Sequence, residues 1–207
     1  MLADALRPGY RVLEAGCGRT TRLAGHRDRI GRLVGVDLDA AAGAENAALD
    51  EFAIADLCRS LPFEDGAFDV VYANFVVEHL AAPEAAFREW RRLLRPQGEL
   101  VLLTSNRANP VLAVATLAPE RLRTALKRAG AGVLERDVFP TRYRANTPGR
   151  LASLLRGAGF SPVEVHHVAT LHRYAERKPA LAALLRALER CLPSPLRSTI
   201  VAWYRRE

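Results

Sequence analysis

The sequence predicts a doubly wound α/β fold, a mostly parallel β-sheet with helices on both faces. Two observations carry this: short Val- and Leu-rich runs recur along the chain, each followed by a turn, and helical patterns separate them. A third is the Gly-x-Gly turn, Gly16 and Gly18, directly after the first run. Residues 11–15 and 32–38 are strands of the kind buried on both faces, apolar and closing on an acidic residue and a turn. Residues 52–55, 68–77 and 99–104 read the same way. In PEAAFREWRRLL, at 83–94, Pro83 takes the first helical position and Phe87, Trp90, Leu93 and Leu94 form one apolar stripe. Pro96 and Gly98 end that helix. Trp90, Phe63 and Phe68 are expected in the core.

After Asn106 the rhythm changes. Residues 107–146 hold a Pro-bounded apolar segment (110–118), an Arg-rich helix candidate (120–129) and the loop PTRYRANTP. They are expected to form an insertion over the carboxyl ends of the strands, where α/β sheets bind ligands. Thr147 as cap and Pro148 open a helix with Leu151, Leu154 and Leu155 inward, closed by Gly157 and Gly159. SPVEVHHVAT follows as a strand. An amphipathic helix from Pro179 carries Leu181, Leu184, Leu185, Leu188 and Leu192 on one side and leads to a last strand at 199–204. The 207 residues suit one domain. Its parts are a cofactor-binding half (1–106), the acceptor-site insertion (107–146) and C-terminal helices and strands (147–207).

Apolar residues make up 49% and charged residues 26%, the balance of a soluble globular chain. MLADALRPGY lacks the apolar core of a secretory signal, and residues 110–118 fall short of the roughly 20 needed to cross a bilayer. The cytoplasm is the expected location. Cys17, Cys58 and Cys191 share no C-x-x-C spacing, so neither a disulfide framework nor a zinc site is implied. The net charge of +7 is uneven: residues 1–106 carry 12 Lys and Arg against 16 Asp and Glu, and residues 107–207 carry 18 against 7. That asymmetry fits an anionic partner or an arginine-biased composition.

Glycine after a strand brings the backbone close to a ligand, because it has no Cβ and takes positive φ. A dinucleotide loop G-x-G-x-x-G would place its third glycine at Thr21, so the NAD reading loses a key element, although Asp37 would suit a ribose. Glu14, two residues before Gly16, favours a cationic ligand over pyrophosphate. Asp37 with Leu38 offers a carboxylate for vicinal hydroxyls and an apolar face for a base, and Asp56 with Leu57 repeats the arrangement after the third strand. The combination points to a sulfonium nucleoside.

VLEAGCGRTTRLA, VGVDLD, ADLCRSLPFEDGAFDVVYANFVVEHL, the helix at 87–94 and LLRPQGELVLLTSN together resemble the class I S-adenosylmethionine-dependent methyltransferases, in particular their small-molecule branch. The resemblance covers roughly residues 8–106 in order and spacing, and LLRGAGFSPVEV with IVAWYRRE is similar to the family's final helix and strands. It implies a Rossmann-like seven-stranded sheet with its last strand antiparallel, and S-adenosylmethionine as cofactor. Glu14, Gly16 and Gly18 would meet its methionine portion, Asp37 the ribose, Asp56 and Leu57 the adenine, and Asn74 the segment closing the site, with Cys17 and Leu38 also in the cofactor-binding set. The family's third glycine falls at Thr20, expected to turn its side chain outward at ~1 kcal/mol of strain. Relatives carry helices before the first strand that enclose the cofactor. Met1 to Gly9 allow a turn or two, so either a preceding segment or a partner closes the site, or the site is open.

Methyl transfer from a sulfonium is an in-line displacement in which the enzyme chiefly positions the acceptor and excludes water. His79, just beyond the fourth strand, is the candidate general base, with Glu78 a weaker choice. His166 and His167 point to opposite faces of a strand and do not share an ion, so no metal is expected. The fourth strand lacks the carboxylate of metal-dependent catechol-type methyltransferases. YANF does not match the N/D-P-P-Y/F/W signature of enzymes that methylate nucleic-acid amines, so no nucleic acid is expected. Arg107, Arg121, Arg123, Arg142 and Arg144 suit an anionic or phospholipid-like small acceptor, with peripheral membrane contact as a corollary. The rival readings are a methyltransferase-like binding or scaffold domain without turnover, and an NAD-binding oxidoreductase.

Overall fold

Apolar runs cannot leave their backbone polar groups bare in a core, so they pair laterally. In the computed structural model, which describes residues 1–117, 121, 140–175 and 178–207, they form one seven-stranded sheet of order β3-β2-β1-β4-β5-β7-β6. The strands are β1 (Arg11–Ala15), β2 (Arg32–Asp37), β3 (Glu51–Ile54), β4 (Phe68–Asn74), β5 (Leu94–Ser105), β6 (Phe160–Val168) and β7 (Thr199–Arg206), and the short helix α2 (Ala40–Glu45) connects β2 to β3. The pairs from β3 through β5 are parallel, and β7 lies antiparallel to both β5 and β6. The expected Rossmann-like arrangement, seven strands with the last antiparallel, is the observed one.

Strand geometry sends alternate side chains to opposite faces. Leu13, Ala15, Val71, Ala73, Leu100 and Leu102 meet Phe87 and Trp90 of α3 (Pro83–Leu93) and Leu151 and Leu155 of α5 (Pro148–Gly157). On the other face, Val12, Leu33, Val70, Tyr72 and Val101 meet Ala5 and Leu6 beside the short α1 (Leu2–Ala5), together with Leu23 and Ile30. Trp90 is fully buried, and Phe63 stands edge-on to the buried Phe68 at 5.2 Å between ring centroids. All three aromatics are packing residues.

Some boundaries differ from the sequence reading. β4 stops at Asn74 rather than 77, because Phe75 turns left-handed (φ 56°) and Val77–His79 winds into a 3₁₀ turn. β5 begins at Leu94, ahead of the residue-99 start, with a register shift opposite Phe68 and Val70. The apolar segment after Asn106 forms α4 (Pro110–Leu117), and its Val111 and Val114 face solvent. The helix candidate at 120–129 lies outside the described residues apart from Arg121, as does Arg123. In α6 (Pro179–Cys191) the leucine row does not turn inward: Leu181, Leu184 and Leu188 are exposed. The buried residue of α6 is Glu189, whose carboxylate accepts from Leu171 N–H at 2.7 Å and Ser198 N–H at 2.9 Å. Two backbone donors outside any strand or helix ladder thus set the rotation of this helix, against the apolar periodicity. No described helix is long and apolar enough to cross a membrane.

Candidate functional site

The carboxyl ends of β1, β2 and β4 and the turns leaving them enclose a cleft of about 590 Å³. Glu14, Gly16, Cys17, Gly18, Asp37, Leu38, Asp56, Leu57, Asn74 and His79, the ten residues singled out in the sequence, all line it. Parallel pairing explains their convergence: each sits at or just past the end of a strand running the same way.

The glycine turn is held from behind. Gly16 N–H and Cys17 N–H both donate to Val36 O, at 2.8 and 3.2 Å, and Gly18 N–H donates to Asp37 Oδ2 at 2.9 Å. Asn46 Nδ2 reaches across to Gly18 O at 3.1 Å. Gly16 and Gly18 have φ of +70° and +53°. A Cβ at Gly16 would come within 2.4 Å of Val76 Cγ2, whereas one at Gly18 would meet nothing within 4 Å, so Gly18 leaves its space to the cleft. Thr20 is exposed and has no positive φ, so the left-handed strain expected there is absent. Thr21 caps the 3₁₀ segment Arg22–Arg29, its Oγ1 accepting from Leu23 N–H at 2.9 Å. That segment is kinked at His26 and is not the α-helix whose N-terminus would cradle a pyrophosphate.

Glu14 is the unusual group. It is 3% exposed, and its Oε2 has no hydrogen-bond partner. Burial raises its pKa to about 8, and neighbouring Asp37 adds to the rise while a hydrogen bond with Thr21 opposes it. The Cys17 thiol, buried and packed over Gly35, is likewise pushed up to about 12, mainly by burial, so Cys17 offers the cleft its backbone rather than a nucleophile. Asp37 also accepts from Asp39 N–H at 3.0 Å, and Asp56 Oδ1 accepts from Cys58 N–H at 2.9 Å. Both carboxylates cap the turns that follow them and still border the cleft, where each oxygen has a second lone pair. Leu38 is 62% exposed beside Asp37, an apolar surface facing the opening, and Leu57 is buried.

At the other end, Asn74 Oδ1 is buried without a partner, and Phe75 holds its strained conformation there through Phe75 N–H to Leu103 O at 2.8 Å. His79 Nδ1 is 3.1 Å from Pro140 O. A carbonyl only accepts, so Nδ1 carries the proton and Nε2 holds the lone pair of the neutral ring. Glu78 is not available as a base: it is buried, and its carboxylate accepts from Thr104 Oγ1 at 2.7 Å and Ser105 Oγ at 2.9 Å. Its backbone carbonyl accepts from Arg142 and Tyr143 N–H, and Asn146 Nδ2 donates to Thr104 Oγ1. Glu78 thereby ties residues 142–146 to β5 and places Arg142 and Pro140 on the cleft. Arg107 lies over the Tyr143 ring and Arg144 donates to Ala81 O, while neither borders the cleft. Phe75, Val76 and Pro140 went unnamed in the sequence. The first two directly follow Asn74, a signal that was there to use; Pro140 is brought in by the fold from far along the chain.

Residues 13–102 match a methyltransferase domain family. The chain is 30% identical over 204 residues to an uncharacterized 37.1 kDa protein of transposon TN4556 from Streptomyces fradiae, covering 93% of this chain and 56% of that protein. It is 28% identical over 189 residues to a ubiquinone/menaquinone biosynthesis C-methyltransferase of Laribacter hongkongensis, covering 81% of this chain and 75% of that enzyme. The chain therefore spans little more than half the length of the first of these relatives. A possible histamine N-methyltransferase from Thermotoga maritima superimposes with a TM-score of 0.68 at 17% identity, over 99% of this chain and 86% of that one, and shares the fold.

Residues 13–102 thus resemble a methyltransferase domain, and the fold around them is shared with S-adenosylmethionine-dependent methyltransferases. The cofactor of this methyltransferase family is S-adenosylmethionine, a cation at both its sulfonium and its ammonium. The cleft suits that charge where it is most buried: Glu14 Oε2 is an unpartnered acceptor, and among the described residues no Lys or Arg bonds to Glu14.

Proposed function

We propose that the protein transfers a methyl group from S-adenosylmethionine to a small-molecule acceptor by in-line displacement, without a metal. The observation that carries this reading is the buried Glu14 carboxylate, Oε2 unpaired, beside two glycines whose left-handed turn keeps the cleft open. Glu14 would hold the ammonium of the methionine portion, with the Gly16–Gly18 backbone alongside. Asp37 would accept from the ribose hydroxyls, Asp56 from the adenine amine, and Leu38 and Leu57 would flank the base. Asn74 Oδ1 would accept from a ligand donor at the closing end.

When bound, the cofactor supplies an electrophilic methyl on an already activated leaving group. What remains for the chain is alignment and proton removal. Pro140 O fixes the His79 tautomer, so Nε2 can take the proton of an acceptor hydroxyl as its oxygen forms the new bond to carbon. Arg142, on the rim with His79, would pair with an anionic group of the acceptor. Among the described residues no three His, Cys, Asp or Glu are grouped to hold a metal ion. Glu14 beside the glycine turn and the kinked segment after Thr21 both disfavour the NAD reading.

Calorimetry with S-adenosylmethionine, S-adenosylhomocysteine and NAD tests the assignment. Binding of the first two alone is expected, absence of both would overturn it, and NAD binding would replace it. Turnover of a hydroxyl or amine acceptor panel in a methyl-transfer assay then separates an enzyme from a binding domain, and a preference for carboxylated or phosphorylated members over neutral isosteres tests Arg142.

A further inference from the structure

We propose that Thr21 is a positioning residue for the cationic end of the cofactor: its hydroxyl holds the Glu14 carboxylate so that Oε2 stays free to accept from a ligand ammonium. The inference rests on the S-adenosylmethionine reading of the cleft for the identity of that ligand. Thr21 stands where a dinucleotide loop would carry its third glycine, and a glycine there would supply no hydroxyl. Its backbone is extended (φ −116°, ψ 145°), and Oγ1 accepts from Leu23 N–H at 2.9 Å as the cap of the 3₁₀ segment. That bond fixes the oxygen in place. A hydroxyl also has one proton to give, and the Thr21 proton goes to Glu14, with which the residue is hydrogen-bonded. Since Oε2 has no partner, the bond falls on the other carboxylate oxygen. One side chain thus joins the segment leaving the glycine turn to the end of β1.

The other donors nearby are taken. Gly16 and Cys17 N–H both go to Val36 O, and Gly18 and Asp39 N–H both go to Asp37. Tyr72 of β4 lies opposite Glu14 in the sheet register, fully buried, and its phenol oxygen has no partner. The Tyr72 phenol and the Cys17 thiol keep their protons, each pushed up to about 12 chiefly by burial, and Asp37 of β2 repels a charge on Glu14. Arg22 is exposed, and its charge is felt by the Tyr72 phenol. Among the described residues, Thr21 is therefore the group around Glu14 that favours its ionised form, the form a cation requires.

Two measurements on the whole chain test this. In ligand-free protein carrying ¹³C-labelled glutamate, the Glu14 carboxyl resonance, assigned by its loss in Glu14→Gln, reports ionisation directly. Thr21→Val keeps the side chain's shape and removes the donor, so the midpoint should move to higher pH, and Thr21→Ser should restore it. In calorimetry with S-adenosylhomocysteine, Thr21→Val should bind about tenfold or more weakly, the worth of a hydrogen bond to a charged group, and Thr21→Ser within about twofold of wild type. In a Glu14→Gln background the same Thr21→Val change should cost less than about twofold, because the residue it acts through is gone. A capping role alone predicts equal losses in both backgrounds and an unmoved midpoint, and either result would overturn the proposal. So would a Thr21→Ser chain that binds as weakly as Thr21→Val. Circular dichroism checks that the variants fold, with Thr21→Ala as a second donor-free variant. A wild type that binds no S-adenosylhomocysteine would sink the methyl-transfer reading itself, while the glutamate titration, which needs no ligand, still decides whether Thr21 holds Glu14.

Discussion

Replacing Glu14 by Gln removes a carboxyl that the fold holds protonated and that a cationic ligand would need ionised. Its folded pKa is about 8 against an ordinary 4.5, raised chiefly by burial. The sign follows: between those values the unfolded chain has lost the proton and the native chain keeps it, so stability falls as pH rises through that window. The contribution is fully present below pH 4.5 and fully lost above pH 8. At ~1.36 kcal/mol per unit the loss is about 5 kcal/mol. Glu14→Gln should therefore match the wild type in urea unfolding at pH 4.5 and exceed it by several kcal/mol above pH 8. The same variant should bind S-adenosylmethionine at least tenfold more weakly at that pH, because the neutral amide cannot pair with the ammonium. In the wild type at pH 6.5 binding should release nearly one proton, read as a dependence of the calorimetric enthalpy on the buffer's ionisation enthalpy, and Glu14→Gln should lose that dependence. A buffer-independent enthalpy in the wild type would refute the coupling, as would a Gln variant no more stable than wild type at pH 9.

Asp37→Ala removes the acceptor of Gly18 and Asp39 N–H as well as the proposed ribose partner, so S-adenosylhomocysteine affinity should fall more than tenfold; an unchanged affinity in calorimetry would move the ribose elsewhere. Gly16→Ala places a Cβ 2.4 Å from Val76 Cγ2 at φ +70°, and thermal unfolding should show about 1–3 kcal/mol of destabilisation, which Val76→Ala relieves only in part because the backbone strain remains. His79→Gln should lower kcat for a hydroxyl acceptor by roughly 10²–10⁴ while leaving S-adenosylhomocysteine affinity within about twofold; unaltered turnover would remove His79 from the chemistry.

The ten cleft-lining residues from Glu14 to His79 were legible in the sequence because each lies within five residues of a strand end, and strand ends in a parallel sheet converge. Local pattern and site coincide there. Where they part, long-range satisfaction of polar groups decided, and a linear reading has no access to it. Thr20 drew attention as a departure from a motif, yet the turn is held by Val36 O, Asp37 and Asn46 from other elements, so the residue at position 20 is not asked for a left-handed backbone. Glu78 looked like a spare carboxylate beside His79. The hydroxyls of Thr104 and Ser105, from a different strand, make it a tether for the segment that carries Arg142. The leucine row of α6 is the strongest case: its period is that of a core-facing helix, and one buried carboxylate with two backbone donors turns it outward. An unsatisfied Glu189 would cost more than the partial exposure of three leucines recovers by rotation, since leaving a buried charged group unpaired is several-fold more expensive than half-exposing an aliphatic side chain. Glu189→Leu should consequently free α6 to rotate. Accessibility of a cysteine placed at position 184 to a thiol reagent would report it, falling if the row turns in and staying at the level of the parent chain if the carboxylate does not set the helix's orientation.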